Sequence, residues 1–228
     1  MTKDGKSLQH ISNITGIKKT TIYYHTRKLK GKSIQMPLIR FNSDEKLGEA
    51  VGIFTGDGSL YFEPGRYHYQ VRVHFGIKNV NYLNHVKALF DASFGKKFLI
   101  KMDGPRKFVL QIYSKEIFAF FHDFLDFKNQ DKSKSVSLKE KFLKNEVFAK
   151  GFLRGLIDTD GTISKTENGI RIAFYTSSYK LAQQISFLLN MFEIKHGITS
   201  SREGQYNVYI LKKDNNRIVK LLKPFKGR

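Results

Sequence analysis

The sequence contains no cysteine and no tryptophan, and only four of its 228 residues are proline. The absence of cysteine excludes disulfide bonds, thiolate metal sites and a cysteine nucleophile. No apolar run approaches the ~20 residues that a membrane-spanning helix needs, and the N-terminus lacks the apolar core of a signal peptide. We therefore expect an intracellular protein of the cytoplasm, nucleoid or an organelle, with no membrane partner.

Acidic residues are scarce as well. Twenty Asp and Glu stand against 40 Lys and Arg, which gives a net charge of +20 and a pI near 9.9. Hydrophobic residues make up 40% of the chain and aromatic residues 14%, so the chain can bury a core and is not a disordered polymer. So large a positive excess on a folded chain indicates a polyanionic partner, and nucleic acid fits better than an anionic membrane surface.

A short stretch occurs twice, as AVGIFTGDG at residues 50–58 and as LRGLIDTDG at residues 153–161. Each copy follows apolar residues at helical spacing and closes with Asp-Gly, which predicts a helix that ends at Asp57 or Asp160. A lone Asp-Gly at a helix end is usually a cap and turn without a metal. Two copies in so basic a chain favour a joint function.

The elements after each copy also repeat. Apolar alternation and turn signals predict strand, strand, helix, strand, strand and helix after the first copy, and the same order after the second. Residues 126–141 are polar and rich in Ser and Lys, which predicts a linker between the two halves. The predicted fold class is α+β, with two pseudo-symmetric αββαββα halves at residues 41–130 and 131–228.

Residues 1–40 form a small, basic segment. Apolar residues at helical spacing on either side of Gly16 predict two short helices that cross at a tight turn, with Ile17 packing the turn. This pattern resembles the helix-turn-helix of DNA-binding proteins, and the alternative is a helical hairpin that serves only packing. In the DNA-binding interpretation, the exposed face of the second helix carries Lys18, Lys19, Thr20, Tyr23, Tyr24 and Arg27.

Two helices that end in this glycine-rich pattern with Asp-Gly, each followed by ββαββα, resemble the LAGLIDADG homing endonucleases in their single-chain, two-motif form. The resemblance covers about residues 44–228. LRGLIDTDG is the closer copy, whereas the first copy has Thr55 where the family motif has its first Asp. The resemblance implies a saddle of antiparallel sheets on double-stranded DNA, a monomer with pseudo-two-fold symmetry, and metal-assisted hydrolysis of a phosphodiester on each strand.

The resemblance also implies the site. The two motif helices would touch through small residues, namely Gly52, Gly56, Gly155 and Thr159. Asp57 and Asp160 would then meet and bind Mg²⁺, with Gly56 and Thr159 as further ligands, and Mn²⁺ or Ca²⁺ can replace Mg²⁺ in binding.

By the same resemblance, a basic residue at a strand end stabilises charge near the scissile phosphate. Strand parity selects Lys115 in the first half and Lys213 in the second, with Lys212 as the alternative to Lys213. Lys78 is a further candidate in the first half, where its predicted counterpart in the second half is Ser177.

The outward-facing strand residues are the predicted contacts to DNA bases and phosphates. They are His68, Gln70, Arg72, His74, Lys107, Gln111, Arg171, Tyr175, Ser177, Asn207 and Tyr209. The predicted function is a site-specific DNA endonuclease of the intron-homing kind. The alternative is a non-cleaving nucleic-acid-binding protein on the same fold, either a transcriptional regulator or an intron RNA maturase with RNA as partner. The paired aspartates favour the enzyme, because a non-cleaving protein has no reason to keep them.

Overall fold

The structure is a computed structural model of the chain, and it describes residues 7–30, 39–128, 131–167, 169–201 and 204–227. The chain divides into two compact units, residues 1–36 and residues 37–228, and each is described by itself. None of the helices within these described ranges has the length and apolar character to cross a membrane.

Two helices form the N-terminal unit, α1 (Leu8–Thr15) and α2 (Lys19–Lys30). Gly16 ends α1 in the left-handed conformation, at a φ of 68°, which an L side chain rarely adopts. Among the described side chains of these helices, the apolar residues Ile11 and Ile22 are buried. The expectation that the Ile17 side chain packs the turn is wrong, because that side chain is 48% exposed. Its backbone holds the turn instead: the carbonyl accepts a hydrogen bond from the Ser12 hydroxyl, and the amide donates to Thr15 Oγ1.

The larger unit begins with a helix whose start the sequence specifies. The Ser43 hydroxyl accepts a hydrogen bond from the Lys46 amide, and Asp44 and Glu45 in the first turn favour the positive end of the helix dipole. The first half comprises α3 (Asp44–Asp57), β1 (Gly58–Glu63), β2 (His68–Gly76), α4 (Val80–Phe94), β3 (Leu99–Met102), β4 (Lys107–Tyr113) and α5 (Lys115–Phe124). Its four strands form one sheet in the order β1-β2-β4-β3.

Residues 126–141, predicted as a linker, form short helices and strands in the described part, and they contact both halves of the fold. The connection contains β5 (Leu125–Asp126), α6 (Lys132–Ser135) and β6 (Ser137–Leu138), and β5 pairs with β6. The Leu138 amide donates to Gln184 Oε1, and Gln184 Nε2 donates to the Leu138 carbonyl, at 2.8 and 2.7 Å. The polar composition of the segment gave no indication that Val136, Ser137 and Leu138 within it are buried.

The second half repeats the order of the first. It comprises α7 (Glu146–Thr159), β7 (Gly161–Thr166), β8 (Gly169–Thr176), α8 (Tyr179–Met191), β9 (His196–Ser200), β10 (Tyr206–Ile210) and α9 (Asn215–Leu222). Its sheet has the equivalent order β7-β8-β10-β9, and all pairings in both sheets are antiparallel. The predicted α+β fold with two αββαββα halves is therefore confirmed.

The predicted alternation of the strands is confirmed as well. In both sheets one face is apolar and lies in the core beneath α-helices, and the other carries the polar residues. The residues that alternate inward and are buried include Val71, Val73, Phe75, Leu110, Ile112, Ile172, Phe174, Val208 and Ile210. The phenylalanines of α5 pack into the same core, where the Phe54 and Phe121 rings stack at 3.8 Å between centroids.

The motif helices α3 and α7 pack with their backbones in contact, as predicted. A Cβ atom added at Gly52 would lie 2.2 Å from the Phe152 carbonyl oxygen, and one added at Gly155 would lie 2.4 Å from the Glu49 carbonyl oxygen. Real Cβ atoms do not approach backbone so closely, so these positions require glycine. Gly48, one turn earlier on α3, makes the same kind of contact with α7.

Charged residues join the same two helices along their flank. Arg154 of α7 bonds Glu45 and Glu49 of α3, and its Nη1 lies 3.1 Å from Glu49 Oε2. Glu49 is 6% exposed and its second oxygen lies 2.9 Å from His85 Nε2. Burial acts to raise the pKa of the Glu49 carboxyl, but the hydrogen bond with His85 and the charge of Arg154 outweigh it and hold the pKa below its usual value. The helix pair is thus fixed by backbone contact and by a buried charge cluster.

Candidate active site

Two carboxylates meet where the motif helices end. Asp57 is the last residue of α3, and Asp160 follows α7 as its cap. A Cβ atom added at Gly56 would lie 2.2 Å from Thr159 Oγ1 and 3.2 Å from Asp160 Oδ2, so the second carboxylate lies against the last turn of the first helix. The structure thus brings together the four residues predicted as metal ligands.

The carboxylate pair is held at an electrostatic cost. Burial, and then the negative charge of Asp160, raise the pKa of Asp57 to about 6. Burial also raises the pKa of Asp160, against the opposing charges of Lys132 and Lys226. Two half-buried carboxylates that both resist ionisation form a site that a cation would stabilise.

Two lysines supply positive charge at this position. Lys132 of α6 donates from Nζ to the carbonyl oxygens of Thr55 and Gly56, at 2.7 and 3.2 Å. Burial lowers the pKa of Lys132 to about 8, although the two aspartates oppose this effect. Each of these bonds satisfies a carbonyl at the end of α3, where the helix dipole favours a cation.

Lys226 makes the equivalent contacts at the end of α7. Its Nζ donates to the carbonyl oxygens of Thr159 and Gly161, at 2.9 and 2.8 Å. Burial lowers its pKa, opposed by the charges of Asp158, Asp57 and Asp160. The pseudo-two-fold symmetry of the halves therefore extends to one lysine at each helix end.

A cleft of about 420 Å³ opens at these helix ends. Residues from both halves and from the connection line it, including Gly56, Lys132, Asp160, Tyr175, Ser177 and Gln205. Most of its lining residues are polar, and it reaches the outward faces of the sheets. It therefore suits a charged substrate that spans both halves.

The donor set fits a divalent metal ion that prefers oxygen. Asp57 and Asp160 offer carboxylate oxygens, and Gly56 and Thr159 offer carbonyl oxygens that already accept bonds from ammonium groups. No cluster of three or more His, Cys, Asp and Glu side chains suited to a metal occurs among the described residues. Two carboxylates completed by water and phosphate are the protein ligands that Mg²⁺ usually takes.

The structure does not bring Lys115 to the carboxylates. Its ammonium group lies 5.9 Å from the centre of the Tyr69 ring. Tyr69 pairs with Phe62, four residues along β1 from Gly58. At ~3.3 Å per residue, the level of Tyr69 on the sheet is about 13 Å from the end of α3.

Lys213 and Lys78 occupy short 3-10 turns after strands. Lys213, like Lys212, follows β10 at the end that points away from Gly161, since Val208 pairs with Phe174 and Phe174 with Gly161. Lys78 follows β2 and is exposed at the sheet end nearer Asp57.

The predicted counterpart of Lys78 is wrong. Gly58 pairs with Val73 and Gly161 with Phe174, so the register makes Gly76 the equivalent of Ser177. The first hairpin is longer than the second by two residues because it contains the 3-10 turn Pro64–Arg66. Because of these two extra residues, counting residues from the motif aspartates pairs the wrong positions of the two halves.

The outward face of the first sheet contains an ordered polar cluster. Gln70 Nε2 donates to Gln111 Oε1 and to the Tyr113 hydroxyl, at 3.2 and 3.0 Å. Gln70 and Gln111 are 2% and 5% exposed, so the neighbouring side chains cover these two predicted base contacts. His74 lies nearer the carboxylates and is 3.0 Å from the Ser59 hydroxyl through Nε2. The remaining predicted contacts on this face, His68, Arg72 and Lys107, are exposed or half-buried.

The second sheet also carries its polar residues on the outward face. Tyr175 pairs with Asn207, and both lie on the outward face with Arg171 and Tyr209. Tyr175 and Ser177 also line the cleft at Asp160. In the N-terminal unit, the side chains of Lys18, Lys19, Thr20, Tyr23 and Tyr24 are exposed on or beside α2, whereas the side chain of Arg27 lies outside the described part.

Lys132 and Lys226 were missed by the sequence interpretation. Each follows the last helix of its half, but Lys132 lies eight residues after α5 and Lys226 four residues after α9, so spacing along the repeat does not align them. No local pattern marks Lys132, because it stands in a run of lysines and serines. Gly48 and Gly151 were missed too, although glycine recurs at every fourth residue through the motif helices.

A family model matches the part of the chain that contains the second motif. Residues 148–223 match a family model described as a LAGLIDADG-like domain. The resemblance inferred from the repeated stretch is therefore confirmed, most directly for the second half. No curated protein sequence matches the chain.

Solved structures share the fold of both halves. The homing endonuclease I-DmoI in complex with DNA and Mn is 21% identical, with a TM-score of 0.61 over 78% of this chain and 96% of that chain. I-WcaI bound to its DNA recognition sequence is 16% identical, with a TM-score of 0.57 over 87% and 92%. The N-terminal LAGLIDADG domain of DUF199/WhiA is 14% identical, with a TM-score of 0.50 over 81% and 86%. At these identities the likeness establishes the fold of the LAGLIDADG homing endonucleases.

Proposed function

We propose that the protein is a site-specific, metal-dependent endonuclease of double-stranded DNA. The observation that carries this proposal is the carboxylate pair, in which Asp57 from one half and Asp160 from the other share a single half-buried site. The net charge of +20 and two polar sheet faces on either side of the site support DNA as the substrate. I-DmoI, whose fold the chain shares, has been solved in complex with DNA and Mn and with DNA and Ca, and a variant of I-DmoI has been solved with target DNA in the presence of Mg.

Asp57, Asp160 and the carbonyl oxygens of Gly56 and Thr159 would hold Mg²⁺, which Mn²⁺ or Ca²⁺ can replace for binding. When bound, the ion lowers the pKa of a water molecule and stabilises the leaving oxygen. Lys132 and Lys226 supply ammonium groups beside the reacting phosphate, where they stabilise the negative charge that builds during hydrolysis. The outward faces of the sheets hold the duplex so that a phosphate of each strand reaches the cleft.

The sheet contacts predicted from the sequence remain part of this proposal. We assign contacts with bases or phosphates to Arg72, Lys107, Arg171, Tyr175 and Asn207, and their position on the outward faces supports this assignment. In the N-terminal unit, the exposed face of α2 is proposed as a second DNA contact of the helix-turn-helix kind. The roles first assigned to Lys115 and Lys213 become contacts to the flanking DNA, away from the scissile phosphates.

A non-cleaving DNA-binding protein on this fold is the second candidate. One specific observation favours it: Lys132 and Lys226 already bond the carbonyl oxygens at both helix ends, so two cations offset the two carboxylates without a metal. Binding to RNA as a maturase would be a variant of the same candidate.

One selection experiment separates the two. The purified protein is incubated with a library of randomised duplexes in Mg²⁺, and the bound and the cut molecules are sequenced separately. The endonuclease predicts that one target is enriched in both fractions, with fixed ends in the cut fraction. Enrichment in the bound fraction without cut ends in Mg²⁺ or Mn²⁺ would refute the endonuclease and support the non-cleaving binder.

A further inference from the structure

Asp158 is the first acidic residue of LRGLIDTDG, and its side chain faces the C-terminal segment rather than the metal ligands. It is 3% exposed. Its Oδ2 accepts a hydrogen bond from the Phe225 amide and its Oδ1 accepts one from the Lys226 amide, both at 2.9 Å. One buried carboxylate therefore satisfies two consecutive backbone donors.

The rest of this segment is attached at two further points. The Phe225 ring packs 5.2 Å from the ring of Tyr82 and 5.4 Å from that of His85, both on α4 of the first half. Beyond these contacts, Lys226 reaches the carbonyl oxygens of Thr159 and Gly161. The 3-10 turn Phe225–Gly227 is too short to hold a defined position by its own hydrogen bonds.

We propose that Asp158 is a positioning residue, which fixes the ammonium group of Lys226 beside Asp160 by holding the backbone of the C-terminal segment. The inference rests on the proposed function, since it gives Lys226 a part in the reaction. Without the carboxylate, two buried amide donors lose their acceptor, and the segment is released to find partners in water. Lys226 then leaves the site together with its backbone.

The first half lacks this device. The position equivalent to Asp158 is Thr55, whose hydroxyl bonds the Val51 carbonyl of its own helix at 2.7 Å. Lys132 is instead the first residue of the short helix α6, whose N-cap is Asp131. A change at Asp158 is therefore expected to act through Lys226 alone and to leave Lys132 in place.

The test compares Asp158→Asn, Lys226→Met and the double variant on a DNA target selected by the wild-type protein. Cleavage is measured under single turnover at saturating protein, and affinity for the same target is measured separately in Ca²⁺. Both single variants should cleave about equally slowly, and the double variant should be no slower than Lys226→Met, because residues that act as one unit are not additive. Affinity should stay within about threefold of wild type. The exposed Glu193→Gln is the control and should cleave normally.

Hydrogen exchange of the Phe225 and Lys226 amides tests the anchoring without any reaction. Asp158→Asn should speed their exchange strongly, whereas Lys226→Met should leave the Phe225 amide protected. If Asp158→Asn fails to fold, Phe225→Ala loosens the same segment from α4 and should slow cleavage in the same way.

Three outcomes would overturn the proposal: cleavage by Asp158→Asn at the wild-type rate, rate losses that multiply in the double variant, or unchanged amide exchange in Asp158→Asn. If the wild-type protein cleaves and Lys226→Met cleaves at the same rate, the proposal about Asp158 is refuted and the proposed function still stands. A wild-type protein that binds but never cuts would refute the proposed function, and amide exchange would then decide whether Asp158 holds the segment.

Discussion

The carboxylate pair predicts that Asp57→Asn stabilises the metal-free protein at neutral pH. In the folded protein the pKa of Asp57 is raised from 3.8 to about 6 by burial and by the charge of Asp160. The difference is roughly two pH units, and each unit corresponds to about 1.36 kcal/mol, so ~3 kcal/mol is the upper limit of the destabilisation. Because the side chain is only half-buried, solvent screening reduces the expected gain to about 1–2 kcal/mol.

The sign follows from proton linkage. The unfolded chain releases this proton near pH 3.8 and the folded chain near pH 6, so between these values the folded state binds more protons. The wild-type protein therefore loses stability as pH rises through this window and keeps that deficit above it. The substituted amide has no proton to lose, so the advantage of Asp57→Asn should be full above pH 6 and should vanish near pH 4.

The assay is urea denaturation of both proteins in EDTA, from pH 4 to pH 8. Mg²⁺ then provides a second arm, because an ion present at a hundred times its dissociation constant stabilises the folded state by about 2.7 kcal/mol. Wild type should gain from Mg²⁺ and Asp57→Asn should gain far less. A variant less stable than wild type at pH 7.5 in EDTA, or a difference independent of pH, would refute the reasoning.

Three further predictions concern the helix pair and the DNA face. Gly52→Ala places a Cβ atom 2.2 Å from a backbone carbonyl and should cost about 2–4 kcal/mol of unfolding free energy, whereas the uncrowded Gly65→Ala should be neutral; equal effects would contradict the close packing. Arg154→Met removes the guanidinium group from the buried Glu49 carboxylate and should cost about 3 kcal/mol by the same assay, whereas Lys150→Met, at a more exposed ion pair, should cost under about 1 kcal/mol. DNA affinity should fall steeply between ~50 and ~200 mM salt, and an affinity indifferent to salt would argue against binding through the basic face.

Much of the fold follows from local patterns in the sequence. Alternation along β2, β4, β8 and β10 depends on which side chains the core accepts, and the predicted inward residues such as Val73 and Val208 are buried. The motif glycines were predictable because close helix contact admits no side chain at Gly52 or Gly155. In both cases the packing requirement acts on residues at regular spacing within one strand or helix, so it appears as a local pattern in the sequence.

The positions of the lysines at the candidate active site could not be predicted from local sequence patterns. Lys132 and Lys226 reach the carboxylates through a connection and a C-terminal segment that carry no periodic pattern, and their positions depend on long-range bonds to helix ends. Strand parity pointed to Lys115 because parity identifies a face and not a position along the sheet. The register that places Tyr69, the ring beside Lys115, about 13 Å along the sheet from the helix end becomes known only from strand pairing.

The central claim is that the two motif aspartates act together in metal-dependent hydrolysis. The most direct test is single-turnover cleavage of the selected target by wild type and Asp160→Asn in Mg²⁺, with affinity for the uncut duplex measured in Ca²⁺. We expect wild type to cut both strands, and Asp160→Asn to bind the target nearly as well and to cut neither strand. Full cleavage by Asp160→Asn would contradict the assignment.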